Sequence, residues 1–322
     1  MKFLKIVASS FHPRNVREKT TLTGNPLGFF AHSQNFTSQK EIIDLLKLNL
    51  DYENNYSTDH EVDFLIVSSN SPDQDFKIGY EYLKKINNKR LKNGKVYTLL
   101  RDNLGRQFGG YSEAFLKYKD QYDYYIFQED DMISHLPDYL ETAIKIWDRT
   151  ENCGFVPFIG STKVRKSHRK ALNIKKNEIV SCHGAHGMTS NEILSLIYNQ
   201  NDSLPYNKKN NSFVDHLRYG EIMFTYSILK LGYSFGELPK DKLLIAPAYD
   251  LMRNLEIKKN PKFLDLAEYY FGEIVKKPLY PYFKNNWIIF LLFNSINKLK
   301  QNLLLLSKYK KYSIMFSSHE YN

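Results

Sequence analysis

The feature that most constrains the fold is an alternation of apolar runs with helix-type segments through the first part of the chain. Four runs predict buried strands: "FLKIVASS" (Phe3–Ser10), "EVDFLIVSSNS" (Glu61–Ser71), "KVYTLLRDN" and "DYYIF". The segments between them, "SQKEIIDLLKLNL", "FKIGYEYLKKINNKR" and "GGYSEAFLKYKDQY", have apolar residues at helical spacing, and Ser38 is a candidate N-cap. This alternation predicts an α/β fold, a mostly parallel central sheet with helices on both faces.

Polar residues follow the predicted strands at the point where each strand ends. In open α/β sheets, ligands bind outside the carboxyl ends of the strands. We therefore expect one edge of the sheet to carry the functional site. The residues at that edge are Ser9, Ser10, Asn70, Arg101, Asn103 and Glu129–Asp131.

The fourth apolar run leads directly into three consecutive acids, Glu129, Asp130 and Asp131, in "YDYYIFQEDDMI". Clustered carboxylates are unfavourable unless a cation or a proton neutralises them. Mg²⁺ and Mn²⁺ prefer oxygen ligands, and they are commonly held by one or two carboxylates together with substrate phosphates. The acids therefore predict a Mn²⁺ or Mg²⁺ site. The alternative is that they mark the start of the helix predicted in "HLPDYLETAIKIWD", where acids favour the helix dipole.

The acidic run and its surroundings resemble the GT-A glycosyltransferases. An apolar strand into "EDD", followed by "PDYLETA", is similar to the "EDD…PDF" pattern of N-acetylglucosaminyltransferase I. The preceding "RDNLGRQFGGYSEAFLKYKDQYDYYIFQEDD" resembles the run before the acidic motif in the inverting family 2. The similarity extends over roughly residues 3–235 and is densest over 101–143. It implies a GT-A, Rossmann-like fold and a nucleoside-diphosphate sugar donor.

The resemblance also implies roles for residues of this chain. Asp131 would contact the metal, and Glu129 and Asp130 would face the ribose or the second metal shell. Arg101 would balance the diphosphate, although a surface ion pair is an equal alternative. The implied nucleotide-pocket and base-proximal residues are Ser9, Ser10, Asn70, Asn103, Gly105, Gly109 and Gly110. The acid that often holds the base in the family is replaced here by the stretch "SSNSPDQD".

A general base for the acceptor hydroxyl is a carboxylate or a histidine within hydrogen-bond reach. "RYGEIMFTYSILKLGYSF" resembles the "ED" motif of family 2, with Glu221 at the base position and Gly232 at the terminal glycine. Gly220 stands where the resemblance implies a first acid. The alternative for Glu221 is a first-turn helix acid, and Asp215 is the reserve candidate for the base.

Two histidines lie in "SCHGAHGMTSNEIL", which predicts a loop before a helix. His186 is a candidate metal ligand and His183 a candidate for the acceptor side. A structural, hydrogen-bonded role is an equal alternative for each. A zinc site with Cys182 is not favoured, because the segment lacks enough ligands at the usual spacing.

The composition changes near Leu255, and we predict a catalytic domain over 1–255 and a helical, basic segment over 256–322. Eight lysines and no acids lie between Lys276 and His319, and they account for part of the net charge of +10. The run Trp287–Phe293 is too short to span a bilayer but suits a helix in the membrane interface, near anionic lipid. The alternative is a helical hairpin packed on the catalytic domain. A nucleic-acid arm is disfavoured because the segment lacks arginine.

The two cysteines, Cys153 and Cys182, do not suggest a disulfide framework, and the first residues predict a strand rather than a signal peptide. We therefore expect a cytoplasmic protein, associated peripherally with the inner face of the membrane if the basic segment binds lipid. A lipid-linked or other saccharide acceptor would suit such a location, as in cell-surface polysaccharide synthesis. The alternatives are a sugar-nucleotide nucleotidyltransferase and a non-catalytic protein that binds carbohydrate or a membrane surface.

Overall fold

The computed structural model describes residues 1–11, 38–70, 75–159, 162–164, 166–175, 180–181, 184–209, 215–238 and 243–247. The boundary predicted near residue 255, the whole basic segment, Cys182 and His183 lie outside these residues. Among the residues that are described, no helix combines the length and the apolar character needed to cross a membrane.

A seven-stranded sheet forms the centre of the protein, in the order β10-β6-β9-β4-β1-β2-β3. Two further pairs of short strands, β5 with β11 and β7 with β8, lie outside it. The strands are β1 Lys2–Ser9, β2 Glu61–Asn70, β3 Val96–Asp102, β4 Tyr124–Glu129, β5 Met132–Ile133, β6 Cys153–Pro157, β7 Thr162–Lys163, β8 Val180–Ser181, β9 Gly187–Ser190, β10 Ser234–Phe235 and β11 Ala246–Pro247.

Within the sheet, β1 pairs in parallel with β2 and β4, and β2 pairs in parallel with β3. Strand β9 runs antiparallel to both of its neighbours, β4 and β6. The α-helices are α1 Gln39–Asn55, α2 Lys77–Ile86, α3 Arg106–Tyr118, α4 Tyr139–Arg149, α5 Lys166–Ala171, α6 Asn191–Asn201 and α7 Met223–Lys230; a π-helical segment, His216–Ile222, leads directly into α7.

Strands β1, β2, β4 and β6 are mostly buried on both faces, which is why their sequences show apolar runs rather than alternation. In β1, Leu4 and Ile6 pack on one face with α3, α6 and α7. Val7 packs on the opposite face, with α1 and α2. The mostly parallel sheet with helices on both faces confirms the predicted α/β, Rossmann-like class.

Two predictions about local structure were wrong. The segment before α6 is not only a loop, since Gly187–Ser190 forms β9 between β4 and β6. Helix α4 begins at Tyr139 rather than near His135, and β5 separates it from the three acids. The acids therefore do not lie in the first turn of α4, and the alternative that they mark a helix start is wrong.

Candidate functional site

The strand order places the three acids at a topological switch point. From β1 the chain adds β2 and β3 on one side of β1, whereas β4 pairs with its other side. Ligands of open α/β sheets bind in the crevice that forms at such a point, outside the carboxyl ends of the strands. Ala8, near the end of β1, is paired with Glu129, at the end of β4. The acidic turn therefore occupies the position where this fold class binds ligands.

Asp130 anchors the acidic turn to β1 and is fully buried. The Ser9 hydroxyl donates a 2.6 Å hydrogen bond to Asp130 Oδ2, and the backbone N–H of Asp130 donates to the carbonyl of Ala8 at 3.0 Å. The predicted Ser9 and Asp130 are thus brought together. In the structure they bind each other, which fixes the backbone that carries Glu129 and Asp131.

A second set of hydrogen bonds holds the same turn from the side of α1. The amide of Asn49 donates to the carbonyl of Asp130 at 2.8 Å. Gln128, the last residue before the acids, donates to Asn49 Oδ1 and to the carbonyl of Met132, both at 2.6 Å. Asn49 and Gln128 are both buried. Neither was singled out from the sequence, although each is a polar residue in an otherwise apolar pattern.

Glu129 and Asp131 differ in exposure. The Glu129 side chain is 25% exposed, and its Oε2 lies 3.7 Å from His186 Nε2. Asp131 is 7% exposed. His186 immediately precedes β9, so the antiparallel strand that was missed in the sequence is what brings this histidine to the acidic turn. His186, predicted as a metal ligand, thus lies next to Glu129 of the acidic turn.

Tyr111 of α3 lies at the centre of the candidate site and is fully buried. Its hydroxyl lies 3.0 Å from the carbonyl of Gln128 and 3.1 Å from that of Ala185, and its single proton can serve one of them at a time. Burial raises the pKa of the Tyr111 hydroxyl well above its usual value. The charges that raise it further are those of Glu129, Glu221, Asp130 and Asp131.

Glu221 lies beside the loop that carries His186, since a Cβ atom at Gly184, two residues before His186, would lie 2.9 Å from the carbonyl oxygen of Glu221. Glu221 belongs to the π-helical segment, and its side chain is 14% exposed. No acid lies in the first turn of that segment. The alternative that Glu221 is a first-turn helix acid is therefore wrong. Asp215, the reserve candidate, is the residue that precedes the segment.

Gly220 departs from the family pattern for a reason visible in the packing. A Cβ atom at Gly220 would lie 2.7 Å from Cδ2 of the Phe108 ring, which is fully buried in α3. Real Cβ contacts are not that short, so any larger side chain would require the π-helical segment or the Phe108 ring to move. The acid implied at this position has no space here.

Several predicted pocket residues have their side chains engaged within the protein. Asn70 accepts from the N–H of Phe11 at 3.1 Å and donates to Ser68 at 2.7 Å, joining the ends of β1 and β2. Arg101 is 6% exposed and pairs with Glu113 of α3 at 2.8 Å. Arg101 thus forms an ion pair within the protein, which was the alternative to a contact with the diphosphate.

Other parts of the protein also occupy the space beside the glycines around the start of α3. Gly105 has a φ of +72°, which favours glycine, and a Cβ there would meet Tyr206 at 2.1 Å. A Cβ at Gly109 would lie 1.9 Å from the carbonyl oxygen of Leu104, and one at Gly110 would lie 3.1 Å from Val67. Close packing against Tyr206, against the loop before α3 and against β2 thus surrounds Gly105, Gly109 and Gly110 in turn. Asn103 is held at its backbone, whose N–H donates to the Asn70 carbonyl at 3.2 Å.

The donor set suits a divalent cation that is completed by a ligand. In the described part of the chain, no three His, Cys, Asp or Glu side chains are grouped so that they could hold a metal ion by themselves. Mg²⁺ and Mn²⁺ sites of phosphate-handling proteins usually take only one or two carboxylates and obtain the rest from phosphates and water. Glu129 Oε2 and His186 Nε2, 3.7 Å apart, could supply two donors to such an incomplete set, beside the candidate ligand Asp131 in the same turn.

The chain matches no protein-family model, and no curated protein is significantly similar to it in sequence. Solved structures with a similar fold include the mannosyltransferase PcManGT from Pyrobaculum calidifontis in complex with GDP-Man and Mn²⁺, at a TM-score of 0.40 and 13% identity over 74% of this chain and 55% of that one. CMP:2-keto-3-deoxy-manno-octonic acid synthetase with CTP has a TM-score of 0.39 and 12% identity, over 74% and 89% of the two chains.

The glycosyltransferase GlyE from Streptococcus pneumoniae is similar at a TM-score of 0.32 and 11% identity, over 74% of this chain and 45% of GlyE. The chain thus spans about half the length of the two glycosyltransferases, at 55% and 45%. At these TM-scores the likenesses are loose, and the roles of individual residues rest on the site itself.

Proposed function

We propose that the protein is a metal-dependent glycosyltransferase that moves a hexosyl or N-acetylhexosaminyl group from a nucleoside-diphosphate sugar to an acceptor hydroxyl. The observation that carries the proposal is the position of three consecutive acids, Glu129, Asp130 and Asp131, at the switch point of the sheet, with His186 Nε2 3.7 Å from Glu129 Oε2. Such a concentration of negative charge is favourable when a cation binds. A carboxylate on a separate helical segment adds a candidate base.

In this proposal the acidic turn holds the donor and Glu221 acts on the acceptor. Asp131, with Glu129 or His186 and the phosphates of the donor, would hold Mn²⁺ or Mg²⁺, which when bound would neutralise the charge of the departing diphosphate. Ser9, Asn49 and Gln128 keep the turn in one geometry through their hydrogen bonds. Glu221, 14% exposed, would accept the proton of the acceptor hydroxyl, which is the role expected for inversion.

Nucleotide binding tests the donor half of the proposal. We expect one of UDP, GDP, CMP or dTDP to raise the melting temperature when Mn²⁺ is present, since a ligand that binds only the folded state stabilises it. Asp131→Asn should lose this increase. Asp138→Asn, the same change at an exposed residue of the same segment, should keep it.

The proposal fails if no nucleotide shifts the melting temperature, or if Asp131→Asn and Asp138→Asn respond alike. Product analysis then separates the two enzyme classes. A glycosyltransferase releases a nucleotide from the sugar donor. A sugar-nucleotide nucleotidyltransferase instead forms that donor from a nucleoside triphosphate and a sugar phosphate, with release of pyrophosphate.

The acceptor part of the proposal is a saccharide or a lipid-linked saccharide at an anionic membrane surface. It is motivated by the eight lysines and the apolar run of the basic segment, which lie outside the described residues. We expect the full chain to float with vesicles that contain anionic lipid and to be released by salt, because polybasic attraction is screened. Vesicles of neutral lipid are the control. Equal recovery in the soluble fraction with both vesicle types would contradict membrane association.

A further inference from the structure

His216, the first residue of the π-helical segment, is a buried histidine whose role the donor and base assignments leave open. It is 6% exposed, and its Nε2 lies 3.4 Å from Glu221 Oε1. Among the described residues, neither ring nitrogen of His216 has a hydrogen-bond partner. Leaving buried polar groups unsatisfied costs about 1–3 kcal/mol each. An apolar side chain would avoid that cost.

The π-helical geometry is what brings His216 and Glu221 together. The two residues are five positions apart, which is the hydrogen-bond repeat of a π-helix, so they lie one above the other on the same side of the segment. In an α-helix of 3.6 residues per turn, they would point about 140° apart. Short π-helical insertions occur frequently at functional sites, and they are otherwise rare. The rare backbone geometry of the segment thus places these two side chains next to each other.

The surroundings of His216 hold its ring in place. The imidazole is tilted against the Phe108 ring, with 5.9 Å between the ring centroids. A Cβ atom at Gly220 would lie 3.4 Å from His216 Nδ1, which is van der Waals contact distance, so the ring packs directly beside this glycine. An immobilised ring next to a carboxylate can fix the orientation of that carboxylate, whereas a mobile one cannot.

We propose that His216 is a positioning residue for Glu221. With its proton on Nε2, the imidazole donates a hydrogen bond to one oxygen of the Glu221 carboxylate. The other oxygen is then directed at the acceptor hydroxyl and takes up its proton. The catalytic part of this inference rests on the proposed function, in which Glu221 is the base. The pairing of His216 with Glu221 does not depend on it.

The pairing is tested by NMR of the full chain with ¹⁵N-labelled histidine. His216→Gln identifies the two imidazole resonances of His216 by their disappearance. We expect Glu221→Gln to shift the Nε2 resonance, because the neutral amide is a weaker acceptor than the carboxylate. Glu192→Gln, at an exposed position of α6, is the matched control and should leave it unchanged. An Nε2 resonance that is the same in wild type and Glu221→Gln overturns the pairing, whatever the protein's activity.

The positioning role is tested by kinetics. We expect His216→Leu to lower kcat by roughly ten- to a hundredfold, with little change in KM for the donor, because a misdirected base affects the transition state and not donor binding. His216→Gln, whose amide nitrogen can replace Nε2 as the donor, should recover part of the loss. Ile228→Val, at a buried core position of α7, controls for lost stability alone and should keep kcat.

The possible failures are distinguishable. If the wild-type protein transfers no sugar from any donor, the proposed function fails and the NMR comparison alone decides the pairing. If the wild type is active and His216→Leu retains as much kcat as Ile228→Val, the positioning role is overturned while the proposed function stands. If His216→Gln is as slow as His216→Leu, a hydrogen bond through Nε2 is not the reason for the loss.

Discussion

Glu221→Gln is expected to lower the rate of sugar transfer by roughly 10²–10⁴-fold, the usual contribution of a general base. The substitution keeps the size of the side chain and its place in the π-helical segment, but an amide cannot accept the proton of the acceptor hydroxyl. Steady-state kinetics with the donor nucleotide sugar and its acceptor measure the effect. Donor binding should be retained, because Glu221 belongs to a different element from the acidic turn.

Asp215→Asn is the comparison that shows which of the two carboxylates, Glu221 or Asp215, acts as the base. Asp215 precedes the π-helical segment, is partly exposed and is the reserve candidate for the base. If Glu221 is the base, Asp215→Asn should retain most of the transfer activity. The reverse result, loss of transfer in Asp215→Asn with activity kept in Glu221→Gln, would move the base to Asp215. Loss of nucleotide stabilisation in Glu221→Gln would also contradict the assignment, since it would indicate damage to the donor site.

The long elements of the fold were predictable because burial on both faces leaves a strong pattern. The predicted Phe3–Ser10 and Glu61–Ser71 correspond to β1 Lys2–Ser9 and β2 Glu61–Asn70. Strand β9 was not predictable in this way. It has four residues, begins with a glycine and owes its existence to pairing with β4 and β6, which are distant in sequence. Its Gly187 is required because a Cβ there would lie 2.3 Å from the Phe155 ring.

Part of the candidate site was predictable from the rule that ligands bind at the carboxyl ends of parallel strands. The rule that parallel strands end at one edge placed Ser9 beside the acidic turn, and the Ser9–Asp130 hydrogen bond shows that they do meet. The pairing of His216 with Glu221 could not be predicted from the sequence. It depends on π-helical geometry, which no local residue pattern indicates. Lys5 and Asn49 did leave a signal. Each is a polar residue within the buried, otherwise mostly apolar part of a strand or helix, and such residues need buried partners.

Lys5 lies in the middle of β1 and forms an ion pair inside the core. Its Nζ is 2.7 Å from Glu53 Oε2, and the two side chains are only 1% and 2% exposed. Nζ also donates to the Ser134 hydroxyl at 3.0 Å and lies 4.8 Å from the centre of the Tyr139 ring. Burial lowers the pKa of the Lys5 ammonium, and the charge of Glu53 opposes that change. Each charge therefore depends on the other to remain in the core.

The network around Lys5 continues to the acidic turn. The Ser134 hydroxyl donates to Gln128 Oε1 at 2.8 Å. Gln128 in turn donates to Asn49, which holds the carbonyl of Asp130. A buried ion pair of this kind adds little net stability compared with apolar residues, but it leaves an uncompensated charge when one partner is removed. The pair thus ties the core of the sheet to the geometry of the site.

Lys5→Met is accordingly expected to lower the free energy of unfolding by about 3–5 kcal/mol, because it leaves the Glu53 carboxylate buried without its cation. Chemical denaturation measures this as a lower midpoint at an unchanged m-value. The double variant Lys5→Met/Glu53→Gln should recover most of the loss, since the neutral amide can still accept the Tyr139 hydroxyl that now bonds Glu53 at 3.1 Å. A single variant within about 1 kcal/mol of wild type, or a double variant no more stable than the single one, would show that Glu53 is not held charged by Lys5.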